Sequence, residues 1–247
     1  MEYKIYTKSH NTKLLRKNTK NESPFTSEER SNISFKENHL LKFKDLYKIV
    51  LERKEELLAI IQFIKKNNIK KIVSIGSSYP IQEYFISKKT GAEILCYDFD
   101  KTVIKNSKII FKDKISTQFY DMNTHLSNII EPNHNIDCII FFQSLYIFNS
   151  KQYVKYLEEV NNIKIQYIID KASISPLKLI LRTMISRLIK FPIKKLLFKF
   201  FPNSDKFYLG KFHGYSRTKK ALIKIYYDSN LKIIKSYKNY FFIIIII

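Results

Sequence analysis

Residues 71–80 read Lys-Ile-Val-Ser-Ile-Gly-Ser-Ser-Tyr-Pro, an apolar run that ends at Gly76. The β-branched residues favour a buried strand, and a glycine behind such a strand permits a tight turn and the close approach of a ligand. The chain has only four glycines in 247 residues, so one at this place is informative. The stretch predicts the strand, turn and helix that begin a parallel sheet, although a plain turn glycine is a competing interpretation.

Further apolar runs follow, separated by helical stretches. The predicted strands are residues 71–75, 93–97, 116–120, 136–142 and 164–169, and the helices between them are 81–90, 102–111 and 151–160. Strands that alternate with helices imply βαβ units and parallel pairing. The predicted fold class is α/β, a doubly wound, Rossmann-like and mostly parallel sheet.

The two ends of this pattern add further elements. A long amphipathic helix is predicted from Asp45 to about Asn68, ahead of the first strand. After a helix near residues 218–229, the runs 231–237 and 240–247 are separated by two residues only. Strands so close in sequence can pair only as an antiparallel hairpin. We therefore expect a C-terminal β-hairpin to close the sheet, whereas an ordinary dinucleotide-binding sheet is parallel throughout.

Composition indicates one large domain. At 45% apolar and 15% aromatic residues the chain can bury a sizeable core, which excludes disordered and collagen-like classes. We predict a polar N-terminal arm over residues 1–44 and an α/β domain over 45–247, with a helical insertion at 172–212 after the fifth strand. The two cysteines cannot form a disulfide framework or a zinc site, and no signal peptide or spanning segment is apparent. A cytoplasmic protein is expected.

The formal net charge of +22 raises the question of a nucleic-acid partner. Only six of the 44 basic residues are arginine, the side chain that reads bases and clamps phosphates in a bidentate fork. Nucleic acid is therefore the less favoured partner. The histidines at positions 10, 39, 125 and 134 show no ligand spacing, so no metal site is predicted.

Polar residues follow the predicted strands where each one ends. Asp98 comes after the second strand, 22 residues beyond Gly76, and a carboxylate at such a distance can accept the hydroxyls of a ribose. It could equally cap a helix that begins at Thr102. Asp121 and Met122 follow the third strand and could flank an adenine, and Gln143 follows the fourth.

These stretches resemble the motifs of class I S-adenosylmethionine (SAM)-dependent methyltransferases, in particular small bacterial enzymes that modify metabolites and glycans. The resemblance covers roughly residues 60–247. It involves residues 72–80 (the glycine-rich first motif), 93–98 (the strand ending in a ribose-binding acid), 119–123 (the adenine contact), 137–148 (the fourth strand and its loop) and 212–218 (the approach to the last helix).

The resemblance implies SAM as cofactor and methyl transfer to a small-molecule or glycan acceptor, with an oxygen as the favoured nucleophile. The cofactor-binding residues that it implies are Ser74, Gly76, Ser77, Ser78, Asp98, Phe99, Asp121, Met122 and Gln143. The implied candidates for a catalytic base or a substrate contact are His213, Tyr146 and Tyr215, with Arg217 beside them. An RNA methyltransferase is an alternative motivated by charge.

The first motif departs from the family pattern. Ser74 stands where the family has an acid for the methionine amino group, and Ser78 and Pro80 stand where it has the second and third glycines. A serine supplies no charge, so Glu83 or another acid would have to substitute. This departure motivates a further alternative, a catalytically inactive binding or scaffold protein.

The predicted insertion is basic and amphipathic. From Lys171 to Phe201 there are eight basic residues and no acidic one, and apolar residues recur at helical spacing. One interpretation is a lid that packs over the sheet and shapes the acceptor pocket. The other is peripheral contact of residues 176–201 with an anionic membrane, at its inner face.

Overall fold

The structure is a computed structural model that describes residues 2–7, 43–112, 114–120, 126–128, 130, 135–142, 144–163, 165–172, 193, 196, 200, 211–236 and 241–246. Its strands are β1 (Glu2–Thr7), β2 (Lys71–Ile75), β3 (Glu93–Asp98), β4 (Ser116–Phe119), β5 (Cys138–Phe142), β6 (Tyr167–Lys171), β7 (Lys211–Arg217), β8 (Leu231–Ser236) and β9 (Phe241–Ile246). Its helices are α1 (Phe43–Glu52), α2 (Lys54–Lys66), α3 (Ile81–Thr90), α4 (Lys101–Phe111), α5 (Ser150–Asn162) and α6 (Lys219–Asp228).

The main sheet has seven strands in the order β4-β3-β2-β5-β6-β9-β8. The first five of these are mutually parallel, and β9 lies antiparallel to both β6 and β8. The doubly wound α/β sheet with a C-terminal antiparallel hairpin is therefore confirmed. All five predicted parallel strands form, although the fifth begins at Tyr167 rather than at residue 164 and ends at Lys171.

Alternate strand residues pack on opposite faces of the sheet, as the period of two in a strand requires. On one face, residues such as Ile72, Ile140 and Ile169 pack with the apolar sides of α1 to α4. On the other face, residues such as Ile139 and Phe141 pack with α5 and α6. The central strand β5 is buried along its whole length, which explains its unbroken apolar sequence Cys-Ile-Ile-Phe-Phe.

The predicted helix from Asp45 to about Asn68 is in fact two helices that break at Arg53. The backbone of Arg53, with φ −111° and ψ 18°, is not helical, and its Nη1 atom donates a hydrogen bond to Gln82 Oε1 at 3.0 Å. Both α1 and α2 contact α3. The break lets two short helices follow the surface of α3, a tertiary demand that periodicity alone does not reveal.

The start of the chain forms a strand. Residues Glu2–Thr7 pair antiparallel with β7 in a separate two-stranded sheet, with a register shift between Ile5 and Tyr6. The sequence analysis predicted only a polar arm here and, for residues 212–218, only an approach to the last helix. Most of the predicted arm and of the predicted insertion lies outside the described residues. Within the described part, no helix combines the length and apolar character that crossing a bilayer requires.

Candidate active site

The carboxyl ends of β3, β2, β5 and β6 lie side by side in the sheet. The chain runs outward from β2 through β3 to β4 and then returns to form β5 on the other side of β2. This reversal creates a crevice at the ends of β2 and β5, the place where open parallel sheets bind ligands. The candidate site is built from the residues that follow these strands.

Gly76 turns the chain directly after β2 in a conformation that suits glycine, with φ +69°. The backbone N–H groups of Gly76 and Ser77 donate hydrogen bonds to the carbonyl oxygen of Tyr97, at 2.8 and 3.2 Å. A Cβ atom at position 76 would lie only 2.4 Å from the Cβ of Ser144. The glycine is therefore needed for space as well as for backbone geometry, because the loop after β5 packs against it.

Asp98 fastens this turn to the end of β3. Its Oδ2 atom accepts a hydrogen bond from the Ser78 N–H at 2.7 Å, and its Oδ1 accepts one from the Asp100 N–H at 2.9 Å. The alternative interpretation of Asp98 as a helix cap is wrong. The cap of α4 is Asp100, whose Oδ1 accepts from the Val103 N–H at 3.2 Å, and the helix begins at Lys101.

Ser78 has a positive φ of 51°, although it is not a glycine. It occupies the position of the second glycine in the family motif. The loop thus keeps a left-handed backbone at this position and pays for the missing glycine in strain.

Ser74 and Glu83 form a fully buried pair below the turn. The Ser74 hydroxyl donates to Glu83 Oε1 at 2.8 Å, and both residues are 0% exposed. Burial raises the pKa of Glu83 to about 7, and nearby Asp98 raises it further, while hydrogen bonds and Arg53 oppose the shift. Its second oxygen, Oε2, has no hydrogen-bond partner among the described residues. A buried carboxyl oxygen without a partner is rare in proteins and marks a place for a hydrogen-bond donor.

A second buried carboxyl lies at the end of β6. Asp170 is 1% exposed, and its Oδ2 atom accepts hydrogen bonds from the hydroxyls of Tyr153 and Tyr226, the latter at 2.6 Å. Burial raises the pKa of Asp170 to about 6, against the opposing effect of the two tyrosines and Arg217. As with Glu83, one carboxyl oxygen, Oδ1, has no partner in the described part of the chain.

Arg217 connects this carboxyl to the loop after β5. Its side chain is buried, donates to the Phe148 carbonyl and the Ser150 hydroxyl, and lies over the ring of Tyr153 at 5.2 Å from the centroid. A small cleft borders the cluster. Its lining residues are Leu145, Tyr146, Tyr153, Asp170, Lys171, Ala172, Arg217 and Leu222.

Sequence comparison adds no family to this picture, since no protein-family model and no curated protein matches the chain. Comparison of structures does find similar folds. Magnesium protoporphyrin IX methyltransferase from Synechocystis PCC 6803, solved with bound S-adenosylhomocysteine (SAH), has a TM-score of 0.53 at 10% identity, over 85% of this chain and 90% of that one. The human N-acetylserotonin methyltransferase in complex with SAM has a TM-score of 0.53 at 13% identity, over 82% of this chain and 53% of that one.

The chain has the class I SAM-dependent methyltransferase fold. A structure from Rhodobacter sphaeroides, described as belonging to the Zn-dependent alcohol dehydrogenases, is similar too, with a TM-score of 0.53 at 10% identity over 73% of this chain and 86% of that one. Likeness at such low identity concerns the fold alone. The antiparallel β9, inserted between β6 and β8, matches the hairpin that the methyltransferase resemblance predicts.

Within this methyltransferase fold, the predicted cofactor residues of the first two motifs come together. Ser74, Gly76, Ser77 and Ser78 follow one another at the end of β2, and Asp98 faces them from the end of β3. Phe99, half-buried, comes next in the chain. The remaining predicted cofactor residues lie outside the described residues, namely Asp121, Met122 and Gln143.

The predicted catalytic residues lie toward β6 and β7 of the methyltransferase fold. Tyr146 lines the cleft beside Asp170, and the ring of Tyr215 lies 5.5 Å from the guanidinium carbon of Arg217. His213 belongs to β7, and its side chain is outside the description.

The sequence analysis missed Asp170 and its two tyrosines. One signal was available, because an aspartate that directly follows Ile168 and Ile169 in a buried strand needs polar partners. No spacing rule pointed to Tyr153 and Tyr226, which arrive from two helices far apart in sequence.

Proposed function

We propose that this protein binds SAM at the carboxyl ends of β2 and β3 and transfers its methyl group to a small-molecule or glycan acceptor, at an oxygen. The observation that carries the proposal is the Ser74–Glu83 pair. In the resembling family an acid at the position of Ser74 receives the methionine amino group. Here an acid from α3 is hydrogen-bonded to that serine, with one oxygen free of partners among the described residues.

The residues present fit the cofactor. Glu83 Oε2 is suited to an ammonium group, because a charge-assisted hydrogen bond would satisfy a buried acceptor that otherwise has none. Asp98 already accepts two backbone N–H bonds, and a carboxylate offers about four acceptor sites, so ribose hydroxyls can share it. When bound, SAM supplies an electrophilic methyl group. The chain's own contribution is to orient the ligand and keep water away from it.

Glu83 also couples binding to protonation. Its pKa of about 7 leaves it partly protonated at neutral pH in the free protein. An ammonium beside Oε2 favours the ionised carboxylate, so binding releases a proton. The affinity for SAM or SAH therefore depends on pH through this one residue.

On the acceptor side we assign the proton-accepting role to Asp170. Its raised pKa of about 6 leaves it ionised at neutral pH while making it a better base than an exposed aspartate. Tyr153, Tyr226 and Arg217 hold the carboxylate in place, and Oδ1 keeps a site for the proton that an acceptor hydroxyl loses. Tyr146, on the wall of the same cleft, is placed to contact the acceptor.

Calorimetric titration with SAH tests the proposal, with NAD⁺ as the comparison ligand. The wild-type chain should bind SAH with micromolar affinity and should not bind NAD⁺. In Glu83→Gln the affinity for SAH should fall by about 10- to 150-fold, which corresponds to the roughly 1.5–3 kcal/mol of a charged hydrogen bond. Glu93→Gln, an exposed substitution at the opposite end of β3, is the matched control and should bind like wild type.

Three results would overturn the proposal. Failure of a folded wild-type chain to bind SAH at millimolar concentration would favour the inactive scaffold protein. Binding of NAD⁺ in its place would favour a dinucleotide enzyme. Equal affinities in Glu83→Gln and Glu93→Gln would remove Glu83 from the cofactor site.

A further inference from the structure

Three large apolar side chains of the insertion are exposed on helical backbone. Ile193, Leu196 and Phe200 are helical and are 55%, 56% and 68% exposed. Leu196 and Phe200 come three and seven positions after Ile193, so on a helix of 3.6 residues per turn all three lie on one face. We call these three residues the exposed stripe. A lid packed on the sheet through this face would have buried them.

The sequence around the stripe is strongly basic. Lys190, Lys194, Lys195 and Lys199 lie within the same short segment, and no acidic residue occurs between Lys171 and Phe201. The whole chain carries a net charge of +22. An occupant of this face must therefore be apolar where it meets the stripe and anionic around it.

We propose that residues 193–200 dock on an anionic lipid surface, with the exposed stripe entering the boundary between headgroups and acyl chains. Apolar residues on one side of a helix and lysines beside them are the combination that interfacial helices use. Each lysine near an anionic leaflet adds attraction that salt screens. A nucleic acid would satisfy the charges, but would leave three large aliphatic and aromatic side chains without an apolar partner.

The contact is peripheral and independent of the proposed cofactor site. The stripe lies beyond Ala172 in the chain, and none of its residues belongs to the cluster around Glu83 or Asp170. Docking would bring the acceptor side of the protein close to molecules anchored in the membrane. It therefore narrows the proposed acceptors toward lipid-linked ones.

Flotation with vesicles tests the docking. Phosphatidylcholine vesicles containing about 30% phosphatidylglycerol should recover the full-length protein, and pure phosphatidylcholine vesicles should not. The variant Ile193→Ser/Leu196→Ser/Phe200→Ser should lose about tenfold or more of the recovery. Lys194→Gln/Lys195→Gln/Lys199→Gln should lose recovery as well, and that of the wild type should fall as salt rises.

A matched control separates docking from general surface hydrophobicity. Leu58→Ser/Ile109→Ser/Ile234→Ser removes three exposed apolar side chains that lie on separate elements, and it should float like wild type. Because both triple variants change exposed residues, SAH titration and thermal melting should report folded proteins. Docking is overturned if the wild-type protein does not float, or if the control variant loses as much recovery as the stripe variant. It is also overturned if light scattering shows a wild-type oligomer that the stripe variant dissolves, since the stripe would then be a self-interface.

Discussion

Ser78 is the residue whose backbone most clearly conflicts with its side chain. Its φ of 51° is left-handed, and its side chain is exposed, so replacing it removes little packing. Ser78→Gly should raise the free energy of unfolding by about 1 kcal/mol, because a left-handed conformation costs roughly that much for a residue with a Cβ atom. Urea denaturation checks this. Ser78→Ala keeps the Cβ atom and should gain nothing, and an equal gain in both variants would disprove the explanation.

Gly76 should tolerate no side chain. Gly76→Ala combines a positive φ with a Cβ atom 2.4 Å from that of Ser144, and we expect a loss of about 2–4 kcal/mol in the free energy of unfolding. The double variant Gly76→Ala/Ser144→Gly removes the clash and should recover part of this loss in a double-mutant cycle. Additive losses in the cycle would show that the two residues are not in contact.

Glu83 should make ligand affinity depend on pH. In the wild-type protein the affinity for SAH should increase from pH 6 to pH 8, because the carboxyl ionises through its pKa of about 7 and only the ionised form pairs with an ammonium. Calorimetry at several pH values measures the trend. Glu83→Gln should show a flat profile, and a wild-type profile that is also flat would contradict the assignment.

At the residue scale, the sequence predicted positions better than partners. Gly76, Asp98 and Glu83 could be singled out because each follows or faces the end of a strand. That Asp98 binds the Ser78 N–H while Asp100 caps α4 could not be predicted, since both aspartates suit both roles.

At the scale of elements, β6, α5 and α6 meet in the Asp170 cluster. A carboxyl with a raised pKa holds its proton more tightly in the folded than in the unfolded state. It stabilises the fold most below about pH 4, and this contribution is lost as the pH rises through about 6. Glu83 acts in the same direction up to about pH 7.

The free energy of unfolding should therefore fall between about pH 5 and pH 7.5, as measured by urea denaturation. Asp170→Asn cannot ionise, so the variant should keep only the part of the decline that Glu83 causes. A wild-type stability that rises over this range would contradict the burial of both carboxyls in their neutral form.

Elements were predictable where a local pattern decides them. Each helix and strand between β2 and β6 follows from apolar runs of the right length, and β8 and β9 follow from two runs too close for any connection but a hairpin. The pairing of β1 with β7 was not predictable, because it joins residues about 210 positions apart that show no complementary pattern. The same holds for the break at Arg53, which depends on the surface of α3.

On the scale of the whole molecule, the net charge of +22 should work against compactness. Raising NaCl from about 20 to about 300 mM should increase the melting temperature, because screening weakens repulsion between like charges. Sucrose, which carries no charge, serves as the control for general solvent effects. A melting temperature that salt leaves unchanged or lowers would show that the lysines are already paired or too far apart to matter.

The location of the candidate site was predictable at this scale because parallel strands bring their carboxyl ends to one edge. The substitution of Ser74 and Glu83 for a single family acid needed the three-dimensional packing of α3 against β2.

A crystal structure of the protein with SAH is the measurement that tests the central claim most directly. The proposed function predicts the amino group of SAH within hydrogen-bond distance of Glu83 Oε2 and its ribose hydroxyls at Asp98. A complex in which SAH lies elsewhere, or crystals that show no SAH at saturating concentration, would contradict it.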